Sequence, residues 1–305
     1  SLLFFVSVLF SNDQIPGTNQ KRPIFLRGGT LHTVSGDILE EHDLLFAEGK
    51  IVTIDEQIQP SPGTDIYDIY GKHVVPGYVA GYTRIGLTEI SAVKQTNDHS
   101  EIGDINPNVR ANVSYNPDSD LIPVTRSNGV LIVNSAPSSG RIPGQSSVMS
   151  LDGWTWEDAT MKHPTALNLN WPNMRFDYRK DVKKNEKAQR EEYDKSLREI
   201  DLLVRNVRAY HHRRSAKERK AEHKQDTDLR LESMIPFIIY KEPIHVKAND
   251  IRQIEAAVNW ANKHDLNIVI VGGRDAWINP ELLVKNNVPV ILLGVQITPR
   301  RRFEP

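Results

Sequence analysis

The chain has 305 residues, 39% of them hydrophobic and 25% charged, which is the balance of an ordinary soluble globular protein and excludes disorder of the whole chain. Its 38 basic and 39 acidic residues leave a formal net charge of -1, so no overall field steers it toward nucleic acid or anionic lipid. With no cysteine, disulfides, thiolate metal sites and cysteine nucleophiles are excluded together.

The first element is the apolar run Leu2 to Phe10, which stops at the polar stretch Ser11 to Gln14. It is too short to span a bilayer and matches the apolar core of a secretory signal peptide, with a buried strand as the alternative. The expectation is a protein exported to the periplasm or secreted, with residues 1–22 as residual signal peptide and linker. The absent Met marks the sequence as a fragment in the same reading. No other segment is long and apolar enough for a membrane helix.

Residues 23–73 carry short β-prone runs broken by glycine and polar turns, with a tight-turn signal at Glu48-Gly49-Lys50. They predict a small antiparallel β domain. From residue 74 to 305 the pattern changes to continuous apolar strands followed by helix-like segments, the signature of β/α units around a buried parallel sheet. Six strands are expected, at 74–79, 129–134, 166–170, 244–248, 267–271 and 288–293. The clearest helix is Asp250 to His264, with Ile251, Ile254, Ala257, Val258 and Ala261 on one face. A second, around Pro280 to Asn286, leads into the last strand.

Between about 178 and 232 the alternation is interrupted by a run of Lys, Glu, Arg and Gln that keeps Leu197, Ile200, Leu203, Val204 and Val207 at helical spacing. This predicts an inserted amphipathic helix or helical hairpin. Its basic stretch from His211 to Lys224 is interleaved with Glu218 and Glu222, which favours a solvated helix over a nucleic-acid or lipid surface.

Several motifs carry a resemblance. Gly71-Lys72 followed by Val74-Val75-Pro76-Gly77 looks like the start of the first barrel strand in the amidohydrolase superfamily. The stretches Asn106 to Ala111, Pro123 to Gly129, Ser138 to Ser147, Leu151 to Glu157 and Gly272 to Trp277 resemble its imidazolonepropionase-like branch. The resemblance covers most of the chain from Pro23 to Pro305. It implies an α/β fold, here an incomplete TIM-like (β/α) barrel behind a small N-terminal β-sandwich-like domain, with two further barrel strands and the end of the small domain missing beyond Pro305. It also implies metal-dependent hydrolysis of C–N bonds in cyclic amides or peptide-like substrates.

The resemblance implies a His-x-His pair on the first strand, where residues two apart point the same way and can converge on one ion. Here the two positions are Tyr82 and Arg84, a neutral phenol and a permanent cation. At the later strand ends the resemblance places Lys247 and Gly272 where further ligands belong. His245 shares the face of Lys247 and is the one imidazole able to substitute. Zinc or another divalent metal is therefore expected only if substitute ligands assemble, and none is predicted. The loop cluster Asp98, His99, Glu101 and Asp104 offers donors but reads as a solvated loop.

Two hypotheses follow: a hydrolase acting on a small-molecule substrate, or a non-catalytic relative that keeps the strand-end pocket to hold an anionic ligand or a partner subunit, with a homo-oligomer possible in either case. The expected pocket set is Arg84, Arg110, Arg126, Asn128, Gln145, Asn170, Lys247 and Arg274, with ordinary pairing to acids such as Asp250 and Asp275 as the competing role for the cations. Trp154, Trp156, Trp171 and Trp277 read as packing residues. No glycine-rich phosphate loop, nucleotide fingerprint or nucleophile elbow supports another enzyme class.

Overall fold

A computed structural model describes residues 15–178, 184–220 and 227–294, the side chains of 216–220 apart. The Leu2 to Phe10 run lies outside the described residues. The first part is one five-stranded sheet of β1 (Ile24–His32), β2 (Ile38–Ala47), β3 (Lys50–Asp55), β4 (Asp65–Asp68) and β5 (His73–Val74), in the order β3-β2-β1-β4 with β5 also on β1. The β2–β3 hairpin turns on Glu48 and Gly49, both at positive φ, the twist that a two-residue hairpin loop needs. The sheet is mixed rather than antiparallel, because β4 and β5 both run parallel to β1. A register shift bends β1 at Gly28-Gly29, where the buried Asp43 carboxylate accepts the Gly28 N–H at 2.9 Å and the Ile58 N–H at 3.0 Å.

The second part is a seven-stranded sheet in sequential order: β6 (Tyr78–Thr83), β7 (Val130–Ser135), β8 (Gly144–Ser150), β9 (Thr160–Asn170), β10 (Ile244–Ala248), β11 (Ile268–Gly272) and β12 (Val290–Leu292). The sheet curls until its ends nearly meet, and a Cβ placed on Gly81 of β6 would lie 3.6 Å from Cγ2 of Ile291 on β12. Two expectations are corrected. The strand expected over 74–79 is divided, with Val74 in the small sheet and β6 beginning only at Tyr78, because Pro76 has no N–H for a ladder and Gly77 lies against the Leu131 side chain. The unexpected strand β8 runs antiparallel to both β7 and β9, so the sheet is not wholly parallel.

Helix α1 (Leu121–Ser127) precedes β7, and the single turn α2 (Trp156–Ala159) precedes β9. Between β9 and β10 the chain runs through α3 (Glu186–Lys220) and α4 (Leu229–Ile238); α5 (Ile251–His264) and α6 (Pro280–Lys285) follow β10 and β11. Alternation along β9, β10 and β11 sends Leu167, Leu169, Ile244, Val246, Ile268 and Ile270 outward into the main core. There they meet Ile200, Val204 and Val207 of α3 and Ile254, Ala257, Val258 and Ala261 of α5. Each large apolar side chain so buried contributes about 1.5–3 kcal/mol.

The start of α5 is fixed by a reciprocal capping box between Asp250 and Gln253, and its end by Asp265 in the left-handed conformation. Trp171 packs edge-on against Trp260 at 5.6 Å, whereas Trp154 and Trp277 are exposed, contrary to the packing role expected of them. Their loops carry them past the core rather than into it. Among the described residues no helix is long and apolar enough to cross a membrane.

Candidate functional site

The same alternation that sends Ile244 and Val246 outward points His245 and Lys247 into the barrel, level with Asn168 and Asn170 on β9. The Tyr82 ring lies 6.1 Å from that of His245 at 55°, so β6 and β10 face each other across the interior. Most of the polar lining is internally satisfied. Asn134 donates to the Gly81 carbonyl at 3.0 Å and accepts from Thr165 Oγ1 at 2.8 Å, while Asn168 Nδ2 donates to the Gly144 carbonyl at 3.0 Å and to Ser146 Oγ at 2.9 Å. His245 differs: it is buried, and its Nδ1 lacks a partner among the described residues.

Electrostatics at this mouth centre on Arg84, which follows β6 directly. Burial pushes the Tyr82 phenol up to about 12, with the nearby guanidinium opposing the shift. Burial lowers the Lys247 ammonium and Arg84 lowers it further, with no carboxylate of the described residues opposing them. His99 is lowered by burial and by Arg84, against the opposing pull of Asp98. The His245 imidazole falls to about 4 through burial alone. The lining of the mouth is thus positive and partly desolvated, with Tyr82 and His245 neutral at pH 7.

A divalent cation does not fit these residues. Among the described residues no three of His, Asp or Glu converge as a ligand set. Tyr82 is a protonated phenol, Arg84 and Lys247 repel a cation, and His245 stands alone. Gly272 adopts φ 100°, and a Cβ there would come within 2.5 Å of Asn249 Oδ1, so the backbone itself demands glycine. His99 is taken by Thr88 Oγ1 at 2.9 Å, and the Asp104 backbone carbonyl anchors the N–H groups of Arg141 and Ile142.

The other expected pocket residues scatter. Asn170 is at the mouth, where its Nδ2 fastens the loop before β8 by donating to the Ser138 and Gly140 carbonyls at 3.2 and 2.6 Å. Arg274 also follows a strand end, with its Nε 3.3 Å from Asp275 Oδ1. Gln145 points outward and donates to the Pro107 and Ser233 carbonyls at 3.1 and 3.0 Å. Arg126 and Asn128 sit at the opposite rim. Arg126 binds Asp152 at 2.9 Å, and Asn128 donates back to the Val124 carbonyl at 2.8 Å at the end of α1, which feeds the start of β7.

Arg110 leads to a constellation that sequence reasoning missed. Its Nε donates to His163 Nε2 at 3.1 Å, and His163 Nδ1 lies 2.8 Å from Ser147 Oγ. A guanidinium nitrogen can only donate, so Nε2 accepts and the imidazole proton resides on Nδ1, pointing at the serine. Ser147 Oγ also accepts the Asn112 N–H at 3.1 Å. This histidine cannot take the serine proton, and the trio is a structural clasp rather than a nucleophile and its base. Burial, then Arg110, lowers His163 to about 4. The only sequence signal was Arg110 itself, since Ser147 and His163 meet only because β8 and β9 are paired.

No family model matches the chain. A stretch of 76 residues, 25% of the chain, is 30% identical to dihydropyrimidinase 2 of Caenorhabditis briggsae and 29% identical to that of Caenorhabditis elegans. The match spans 14% of the length of each of these relatives. Among solved structures, an amidohydrolase from Thermotoga maritima superposes with a TM-score of 0.79 at 24% identity, covering 92% of this chain and 72% of that one. The fold described here, a small β-sheet followed by a nearly closed α/β barrel, is therefore the one that the Thermotoga maritima amidohydrolase has.

Proposed function

We propose that this chain is an amidohydrolase-like protein of the imidazolonepropionase-like branch whose barrel mouth holds a small organic anion where the branch would hold a metal ion. One observation carries the reading: Lys247 points into the barrel from β10, and Arg84 directly follows β6, whose Tyr82 ring faces His245 at 6.1 Å, close enough for Arg84 to lower the Lys247 ammonium with no carboxylate of the described residues opposing it. Two cations that repel each other in a half-buried site are stabilised by an anion between them. The unpartnered Nδ1 of His245 adds a neutral imidazole edge to the same lining.

The test joins elemental analysis of protein purified without chelator to calorimetric titration with succinate. The reading expects no stoichiometric metal and a succinate affinity that falls about tenfold or more in Arg84→Gln and Lys247→Gln, the loss of one charge-assisted hydrogen bond. About one equivalent of zinc would overturn it in favour of metal-dependent hydrolysis of C–N bonds, the reading favoured by the partial likeness to the dihydropyrimidinases.

A further inference from the structure

A cavity of about 680 Å³ opens beside the mouth, between the segment that follows β9, the first turns of α3 and the start of α5. Its size falls in the range of small-molecule sites. Arg141, Arg175, Arg190 and Arg252 line it, against the carboxylates of Glu192 and Asp194.

Among the described lining residues, guanidinium groups outnumber carboxylates. Arg175 and Arg252 share one carboxylate, that of Asp250, at 2.6 and 3.0 Å. Glu192 is engaged by Lys184 at 2.6 Å. Arg141 is held by neutral oxygens, the Asn170 carbonyl and Ser196 Oγ, both at 3.1 Å, and its Nε is buried without a partner. Arg190 lies over the Phe176 ring at 5.8 Å, an arrangement that fixes the guanidinium without neutralising it. Among the described residues, the four lining arginines thus meet the carboxylates of Glu192 and Asp194 on the wall and the shared carboxylate of Asp250 behind it. Phe176 and Tyr193 supply an apolar wall.

We propose that this cavity is a second ligand site, distinct from the mouth, that binds a small organic dianion with an apolar body, either a phosphate monoester or a dicarboxylate, its charged end on Arg141 and Arg190 and its body against Phe176. A dianion suits a wall whose described lining carries more guanidinium groups than carboxylates, and planar guanidinium groups suit both oxyanion types. The site rests on residues separate from Arg84 and Lys247, so its failure and that of the mouth are distinguishable.

The test is calorimetric titration of the full chain with phenyl phosphate, phthalate and inorganic phosphate, repeated on Arg190→Gln, Arg141→Gln and the mouth variant Arg84→Gln. Arg190 is exposed and its replacement leaves the fold intact; Arg141 also anchors a loop, so circular dichroism accompanies its variant. The expected result is binding of an aromatic dianion that weakens about tenfold or more in Arg190→Gln and Arg141→Gln and is unchanged in Arg84→Gln. Binding of phenyl phosphate alone assigns the site to phosphate esters, and binding of phthalate alone assigns it to dicarboxylates. Absence of binding by all three probes, or an affinity that ignores Arg190, overturns the proposal.

Discussion

Replacing Asp250 by alanine removes two functions from one carboxylate that is 8% exposed in its side chain. The first is the cap on α5: its oxygen accepts the Arg252 N–H at 3.0 Å, and loss of such a cap costs about 1 kcal/mol. The second is the pair of charge-assisted bonds to Arg175 and Arg252. These would be worth about 1.5–3 kcal/mol in a dry setting, but the arginine side chains are 45% and 50% exposed, and water rehydrates them once the acid is gone. The total comes to about 2–3 kcal/mol. Asp250→Asn keeps an acceptor for the cap and should lose about half of that. Urea unfolding followed by the fluorescence of Trp260 and Trp171, which pack together under α5, measures both.

Protonation supplies an independent check on the same residue. Burial tends to raise the Asp250 pKa, but the bonds from Arg252 and Arg175 outweigh it and hold the carboxyl well below the usual range. A depressed carboxylate stabilises the fold above its unfolded pKa of about 3.9 and loses that contribution as pH falls toward the folded value. Below pH 4 the wild-type chain should therefore lose more stability than Asp250→Asn. A cost under about 0.5 kcal/mol for the alanine variant, or equal costs for both variants, would refute the division between cap and charge.

Gly86 and Gly81 form a contrasting pair. Gly86 sits at φ 78°, and a Cβ would come within 2.3 Å of the buried Tyr115 ring, which itself cannot yield; Gly86→Ala should cost about 2 kcal/mol or more in thermal or urea unfolding. At Gly81 a Cβ would make an ordinary contact with Ile291, and Gly81→Ala should change stability by less than about 0.5 kcal/mol. His163 is neutral in the fold down to about pH 4 but takes a proton near 6.5 when unfolded, so as pH drops from 6.5 to 4 the unfolded state is favoured. His163→Gln should reduce the slope of the unfolding midpoint over that window, leaving the part that the likewise lowered His245 contributes; an unchanged profile would contradict the lowered His163 pKa.

What could be read in advance divides along the period of the residues. The α5 segment was legible because its apolar positions recur at helical spacing and an aspartate stands before them. The strands β7, β10 and β11 were legible as apolar runs. β8 was not: its sequence, GQSSVMS, hides a strand behind small polar residues that are buried on both sides, where Ser146 and Ser147 bond to Asn168 and His163. Missing that strand also hid the Arg110 clasp and sent Gln145 to the wrong face. Tyr82, Arg84 and Lys247 were placed at the mouth by resemblance, and their field on one another needed coordinates. The cavity between α3 and α5 had no local signature, since its arginines come from four separate segments.

The reversed strand β8 also bears on how the barrel assembles. Antiparallel neighbours need only short connections, and β7, β8 and β9 meet through pairs such as Ile132 with Ser150 and Gly144 with Asn168. The parallel pairing of β9 with β10 joins Leu167 to Ile244 across the whole of α3 and α4, at a larger loop-closure cost. The meander is therefore the cheapest part of the barrel to close and a natural folding nucleus, onto which β6 docks on one side and β10 to β12 on the other. In φ-value terms, substitutions at Val133 and Met149 should slow folding, whereas those at Ile270 should mainly speed unfolding.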